Sequence, residues 1–144
     1  MSTMQTTSAL TRRADWPERL AAVLEAARNE PYRLGEHDCV RLTCRCIEVM
    51  TGVDLWPRFA GYKTKAQALR LIAKMAPSLG EAVSYVLGRQ PKPVAMAQRG
   101  DVLLYQDEEG HHLGICAGST MVLMAPQGLV FLPLAQALAS WRVG

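Results

Sequence analysis

Apolar residues recur at helical spacing in the first part of the chain. The stripe that follows Asp15-Trp16-Pro17 predicts a first helix, which Asn29-Glu30-Pro31 ends; its apolar positions are Leu20, Val23, Leu24 and Ala27. A second helix is predicted from Cys39 to about Met50 because Asp38 is a favourable N-cap; its buried positions are Val40, Cys44 and Ile47. Each segment is therefore expected to be an amphipathic helix with one buried stripe.

Two capping-box patterns predict two further helices. Thr64 with Gln67 opens a third helix, whose inward positions are Leu69, Ile72, Ala73 and Ala76. Ser78 with Glu81 opens a short fourth helix, which ends at Gly88. The loop between the second and third helices carries Trp56, Pro57 and Phe59. An exposed aromatic loop of this kind is a candidate for covering a cleft or contacting a partner.

From Pro91 onwards the apolar periodicity becomes that of strands. Four short strands are predicted, at residues 101–106, 111–117, 121–124 and 128–132, with a turn at 107–110. A last helical turn is predicted from Pro133 to about Ser140, and Trp141 is expected to pack on the core. Helices followed by an antiparallel meander predict an α+β fold. Residues 1–14 are expected to form a flexible arm, and residues 15–144 a single domain.

Composition and charge exclude several classes of protein. Hydrophobic residues make up 49% and charged residues 20% of the chain, which is typical of a folded domain rather than a disordered one. The net charge of +3 is small and the basic residues are scattered along the sequence, so we expect no nucleic-acid binding. No segment has the length of a membrane span or the apolar region of a secretory signal. We expect a soluble protein that is made inside the cell and binds no membrane.

The four cysteines favour free thiols over disulfides or a metal site. Nothing in the sequence indicates an oxidising compartment. His37, Cys39, Cys44 and Cys46 lie within ten residues. On a helix, however, Cys44 and Cys46 point about 200° apart and cannot share a metal ion. We therefore expect no metal and no cofactor, with Cys44 and Cys46 serving as small buried hydrophobes.

Cys39 and His112 form a candidate catalytic dyad. A helix N-terminus favours an anion and lowers the pKa of a thiol, and the thiolate is the nucleophile. The candidate histidines are His111 and His112. Within the second predicted strand, His112, Gly114 and Cys116 share one face, while His111, Leu113 and Ile115 share the other, which is expected to be the interior. His112 is expected to face the Cys39 helix across Gly114. His37 is expected to be a solvent-facing loop residue.

Three short motifs resemble the NlpC-type papain-like cysteine peptidases. Tyr32-Arg33-Leu34-Gly35 with Asp38-Cys39 resembles the entry to their catalytic helix. Arg99-Gly100-Asp101-Val102 resembles the start of their first barrel strand, and His112-Leu113-Gly114-Ile115 the segment with their catalytic histidine. The resemblance implies a papain-like fold, with N-terminal helices packed on a small antiparallel β-meander or half-barrel. It also implies that Cys39 is the nucleophile, His112 the base and Tyr32 a substrate-contacting residue.

Two positions depart from that family's pattern. Val40-Arg41 stand where Ser-Gly usually follows the nucleophile, and Met124 stands where a polar residue orients the histidine. A thioether cannot hold an imidazole in one tautomer. Gln127 would replace that residue only if its loop folded back. The catalytic machinery is therefore incomplete in the sequence, and loss of the orienting residue alone greatly weakens a triad.

A longer set of motifs resembles a family of small phage and prophage tail proteins that are themselves similar to NlpC-type domains. These motifs are Trp16-Pro17, Gly35-Glu36-His37-Asp38-Cys39, Met50-Thr51-Gly52-Val53-Asp54, Pro126-Gln127-Gly128-Leu129 and Ala139-Ser140-Trp141-Arg142. The resemblance implies a tail-tip or baseplate protein that binds tail hub proteins, is made in the bacterial cytoplasm and ends up in the virion tail tip. Any residual hydrolysis would act on bacterial peptidoglycan. The alternative is an active cysteine peptidase or amidase that cleaves peptidoglycan peptides through Cys39 and His112.

Overall fold

Four α-helices precede a five-stranded antiparallel sheet in the computed structural model, which describes residues 10–144. The helices are Trp16–Ala27 (α1), Cys39–Thr51 (α2), Lys65–Met75 (α3) and Leu79–Leu87 (α4). The strands are Val102–Asp107 (β1), Gly110–Cys116 (β2), Thr120–Ala125 (β3), Gly128–Pro133 (β4) and Ala139–Trp141 (β5). Short 3₁₀ turns lie at Trp56–Arg58, Val94–Met96 and Leu134–Gln136. The predicted α+β class is confirmed.

The sheet has the order β4-β3-β2-β1-β5, so the first four strands form a meander and the last returns beside β1. Strand β5 contradicts the predicted helical turn from Pro133 to about Ser140. The helical part is only the 3₁₀ turn at Leu134–Gln136. Ser140 then pairs with Leu103 on one side and with Lys92 on the other. A strand of three residues has too few positions to show an alternation, and its partners are distant in sequence.

The helices all cover one face of the sheet. Helix α2 is central: it packs on β2 and β3, and α1 packs on α2. This main core includes Leu42, Ile47 and Met50 of α2, Val86 of α4, and Val102, Leu113 and Ile115 of the sheet. The opposite face carries a smaller core under the last two 3₁₀ turns; its buried residues are Leu103, Cys116, Met121, Leu123 and Ala137. Of the helices within residues 10–144, none has the length and apolar character that crossing a membrane requires.

Side-chain caps start three of the helices where the sequence predicted them. Asp38 accepts a hydrogen bond from the backbone N–H of Arg41, at 2.9 Å. Thr64 and Ser78 cap α3 and α4 in the same way, each through its side-chain oxygen. Trp141 is buried on the core, as expected. These local signals determine where the helices begin, and therefore place Cys39 at the first position of α2.

The apolar stripe of α3 is rotated from its predicted position. Leu69, predicted to point inward, is 62% exposed. The residues of α3 that pack against the main core are Leu71, Ile72 and Met75. Helix α3 contacts chiefly α4 rather than the sheet, so only a narrow edge of it is covered and none of its residues is fully buried.

The predicted flexible arm is wrong for residues 10–13. Leu10 is buried in the main core, and the backbone N–H of Arg13 donates to the carbonyl of Met50 at 2.7 Å. The Arg12 guanidinium pairs with the Asp101 carboxylate at 2.9 Å. Residues 1–9, the rest of that predicted arm, lie outside the described residues. The folded unit therefore begins several residues before α1.

Candidate functional site

Asp38 organises the start of α2, next to Cys39. Besides the N–H of Arg41, its carboxylate accepts the N–H of Gly35 at 2.8 Å and the hydroxyl of Tyr62 at 2.5 Å. Gly35 has a φ of +81°, and a Cβ atom there would lie 2.2 Å from the Tyr62 carbonyl oxygen. Only glycine allows this approach, which joins the loop before α2 to the loop after it.

The aromatic loop between α2 and α3 folds inward. Leu55, Phe59 and Tyr62 are all buried. Trp56 is half-buried, with its ring edge-on to Tyr62 at 6.1 Å between centroids and the Arg41 guanidinium 5.2 Å away. The loop is therefore not an exposed aromatic surface, because its apolar side chains complete the main core; of its two predicted roles, a covering role fits its position better than contact with a partner. Through Trp56 and Tyr62, the loop covers the start of α2.

The Cys39 thiol lies in an environment that keeps it protonated. The residue as a whole is half-buried. Desolvation of the sulfur raises its pKa to about 11, the Asp38 carboxylate adds to this rise, and a hydrogen bond from the backbone of Leu113 opposes it. The sequence predicted a lowered pKa from the helix N-terminus. The structure shows the opposite, because desolvation by burial outweighs the backbone hydrogen bonds that lower the pKa, and the negative charge of Asp38 raises it further.

Tyr32 lies close enough to the start of α2 for the Asp38 and Cys39 groups to act on its phenol. Its side chain is half-buried and packs against the main core. Burial raises the pKa of its phenol, and the nearby Asp38 and Cys39 groups raise it further. Burial likewise raises the pKa of Tyr62, together with its hydrogen bond to Asp38. The groups that act electrostatically on the thiol or respond to it therefore include the two phenols, the Asp38 carboxylate and the backbone N–H groups of Leu113, Val40 and Cys39.

His112 lies on the face of the sheet that points away from Cys39. In the register of β1 and β2, His112 is opposite Tyr105, and Leu113 is opposite Leu104. Leu113 and Leu104 belong to the main core under α2, whereas Tyr105 packs against the smaller core. The alternation predicted along β2 is correct. The expectation that His112 faces the Cys39 helix is wrong, because α2 packs on the Leu113 side.

The partner of His112 is Asp107, which sequence analysis did not single out. The imidazole Nε2 lies 2.8 Å from Asp107 Oδ1, and this contact lowers the pKa of the carboxyl group. The sequence did contain a signal for this pair, because the predicted turn at 107–110 places Asp107 and His112 at the same end of one hairpin. Met124, at the expected orienting position, is buried in the main core on the other face. Asp107 and His112 therefore form a carboxylate–imidazole pair, but this pair lies on the face of the sheet opposite to the Cys39 thiol.

His37 is also placed differently from the expectation, since it is only 5% exposed. Its Nδ1 lies 3.3 Å from the carbonyl oxygen of Pro31. Its Nε2 lies 3.6 Å from the carboxylate of Glu30, which is held at 2.9 Å by Arg45. Backbone hydrogen bonds with Arg33 fold this loop back against the helices. The buried His37 ring therefore faces Glu30, the same carboxylate that Arg45 of α2 contacts.

The remaining thiols show no ligand geometry. Cys44 and Cys46 are buried as predicted, and burial raises the pKa of each to about 12. In the part of the chain that the structure describes, no three His, Cys, Asp or Glu side chains are grouped so that they could hold a metal ion.

The comparison with known families places nearly the whole fold in one group. Residues 11–143, which include all four helices and all five strands, match a family described as a domain of unknown function, DUF6950. No curated protein matches the chain. The match covers both the Cys39 helix and the His112 hairpin. The chain belongs to the DUF6950 family.

Proposed function

We propose that this protein is a structural component of a phage or prophage tail tip, built on a papain-like scaffold of NlpC type, in which Cys39 has no catalytic role. The tail assignment is supported by the sequence motifs that resemble small tail proteins, from Trp16-Pro17 to Ala139-Ser140-Trp141-Arg142. Its non-enzymatic character is supported by one structural observation: the Cys39 thiol is desolvated, and the ring of His112, its predicted base, lies on the opposite face of the sheet.

A thiol hydrolase needs a thiolate and a base that can return a proton to the leaving group. With a pKa of about 11, about one Cys39 thiol in ten thousand is ionised at pH 7. The His112 ring contacts Asp107 and lies near Tyr105 instead. Burial therefore disfavours the thiolate at Cys39, and His112 is not placed to act as its base.

The alternative, an active peptidase or amidase of peptidoglycan peptides, requires His112 to reach the helix face. In a strand, a slip of one residue moves every side chain to the other face. Such a slip of β2 would also remove Leu113 and Ile115 from the main core, where they are 3% and 0% exposed. Each buried aliphatic side chain contributes about 1.5–3 kcal/mol, so the rearrangement would cost about 3–6 kcal/mol. The observed register therefore favours the structural role.

The proposal is tested in a phage or prophage whose tail locus encodes this chain. The gene is deleted and then complemented with the wild type, with Cys39→Ser or with His112→Ala. We expect mass spectrometry to detect the chain in purified tails. Both variants should restore tail assembly, seen by electron microscopy, and infectivity to the wild-type level.

Two results would contradict the proposal in different ways. Absence of the chain from purified tails would remove the tail assignment. Tails that assemble normally with Cys39→Ser but lose infectivity, together with release of peptides from peptidoglycan by the purified wild type alone, would support the hydrolase alternative.

A further inference from the structure

Four arginines that are scattered along the sequence come together near residues 10–13 and 142–144, and two of them contact Trp16. We call Arg12, Arg89, Arg99 and Arg142 the arginine surface. The Arg12 and Arg99 guanidinium groups lie 4.3 and 5.8 Å from the Trp16 ring centre. Arg12 donates to the carbonyl of Arg99 at 2.7 Å, and Arg89 donates to the carbonyl of Arg142 at 3.1 Å. The fold thus gathers charges from four separate segments into one patch.

The patch holds the excess positive charge of the protein. Its one acidic partner is Asp101, which pairs with Arg12 at 2.9 Å and is buried. The four arginines and Asp101 together carry +3, which equals the net charge of the whole chain, so the rest of the molecule is balanced. Within residues 10–144, no Asp or Glu side chain lies within ion-pair distance of the other three arginines.

The like charges in the patch act on one another. Burial lowers the pKa of Arg12; Asp101 opposes this, and the neighbouring Arg142 lowers it further. Arg99 and Arg142 are exposed at the rim. Crowded exposed cations attract an anionic partner, because its charge relieves their mutual repulsion.

We propose that the arginine surface is a docking site for an acidic, Asp- or Glu-rich segment of a partner protein. Guanidinium groups present a planar fork that binds carboxylates through two parallel hydrogen bonds. Two guanidinium groups already lie over the Trp16 ring, so this ring is not free to stack on a nucleic-acid base. Two exposed arginines also neutralise few phosphates, which disfavours nucleic acid as the occupant. The proposal rests on these residues alone and does not depend on the tail assignment.

The test measures binding of a fluorescein-labelled peptide of ten glutamates by fluorescence anisotropy, at about physiological ionic strength. The double variant Arg99→Glu/Arg142→Glu reverses the two exposed charges and leaves the Arg12–Asp101 pair intact. The matched control, Arg70→Glu/Lys74→Glu, makes the same change in net charge on the exposed side of α3. We expect the first variant to weaken binding at least tenfold and the control to change it less than twofold.

A spectroscopic readout on the wild type avoids any effect of substitution on folding. Addition of the peptide should shift the Nε–H signals of Arg99 and Arg142 and the indole N–H signal of Trp16 in ¹H–¹⁵N spectra. Equal losses in both double variants would overturn the proposal, because net charge alone would then explain binding. The absence of measurable binding, or tighter binding of an oligothymidylate of equal charge, would overturn it as well.

Discussion

Cys39 should behave as a protected thiol whose reactivity rises steadily with pH. Its pKa is raised from 9.0 to about 11, so at any pH below 9 the thiolate fraction is about a hundredfold smaller than for an unperturbed thiol. Alkylation by iodoacetamide proceeds through the thiolate. We therefore expect Cys39 in the folded protein to react at least a hundredfold more slowly at pH 8 than in the urea-unfolded chain. Limited access to the sulfur slows it further.

The assay resolves each cysteine by mass spectrometry after timed alkylation at pH values from 7 to 10. The rate at Cys39 should rise about tenfold per pH unit with no plateau, because the whole range lies below its pKa. Cys44 and Cys46, with pKa values of about 12, serve as internal references and should react more slowly still.

The decisive control is His112→Ala. Because the His112 ring lies on the other face of the sheet and pairs with Asp107, its removal should leave the Cys39 profile unchanged. A plateau below pH 8.5 that disappears in His112→Ala would refute the reasoning. That result would establish a thiolate–imidazole pair and make peptidoglycan peptides the substrates to test.

Three further predictions concern stability, measured by urea unfolding. Gly35→Ala should destabilise the protein by more than about 2 kcal/mol, because the new Cβ atom would clash with the Tyr62 carbonyl oxygen at 2.2 Å. The control is Gly61→Ala: Gly61 also has a positive φ, but its Cβ atom would point into open space, so this variant should cost about 1 kcal/mol. Equal effects would refute the close contact. Tyr62→Phe removes a donor from a buried carboxylate and should cost about 1.5–3 kcal/mol. Arg12→Ala leaves the buried Asp101 carboxylate with only two backbone N–H donors, and should cost about 3 kcal/mol. A change below about 1 kcal/mol would show that these two donors are enough to stabilise the buried charge.

The helices and most strands could be predicted because their signals are local. Asp38, Thr64 and Ser78 each cap a helix through a hydrogen bond to a residue three positions later. The alternation along β2 separated His112 from Leu113 correctly. Each of these interactions spans only a few residues, so a pattern in a short window contains it.

The features that sequence analysis missed depend on contacts between distant segments. Strand β5 exists because the edge of β1 is available to Ala139–Trp141. The sequence of the residues before α1 has no pattern of a folded element. In the structure this segment is held by the pairing of Arg12 with Asp101, which lies 89 positions later in the chain. The arginine surface arises in the same way, since its members come from four segments. None of these pairings has a periodicity that a sequence window could detect.

The Asp-Cys motif at the start of α2 shows why a motif alone does not determine an activity. Asp38 is placed to cap the helix, and that role brings a carboxylate next to the thiol, where it raises the thiol pKa. The Tyr62 hydroxyl donates to the same carboxylate. This hydrogen bond holds the loop between α2 and α3 over the start of α2 and so contributes to the burial of the thiol. A nucleophile at this position would need an imidazole on the same side to offset both effects. The packing of Leu113 and Ile115 under α2 places His112, the predicted base, on the opposite face. The residues that stabilise the helix and the sheet are thus the same ones that separate Cys39 from His112.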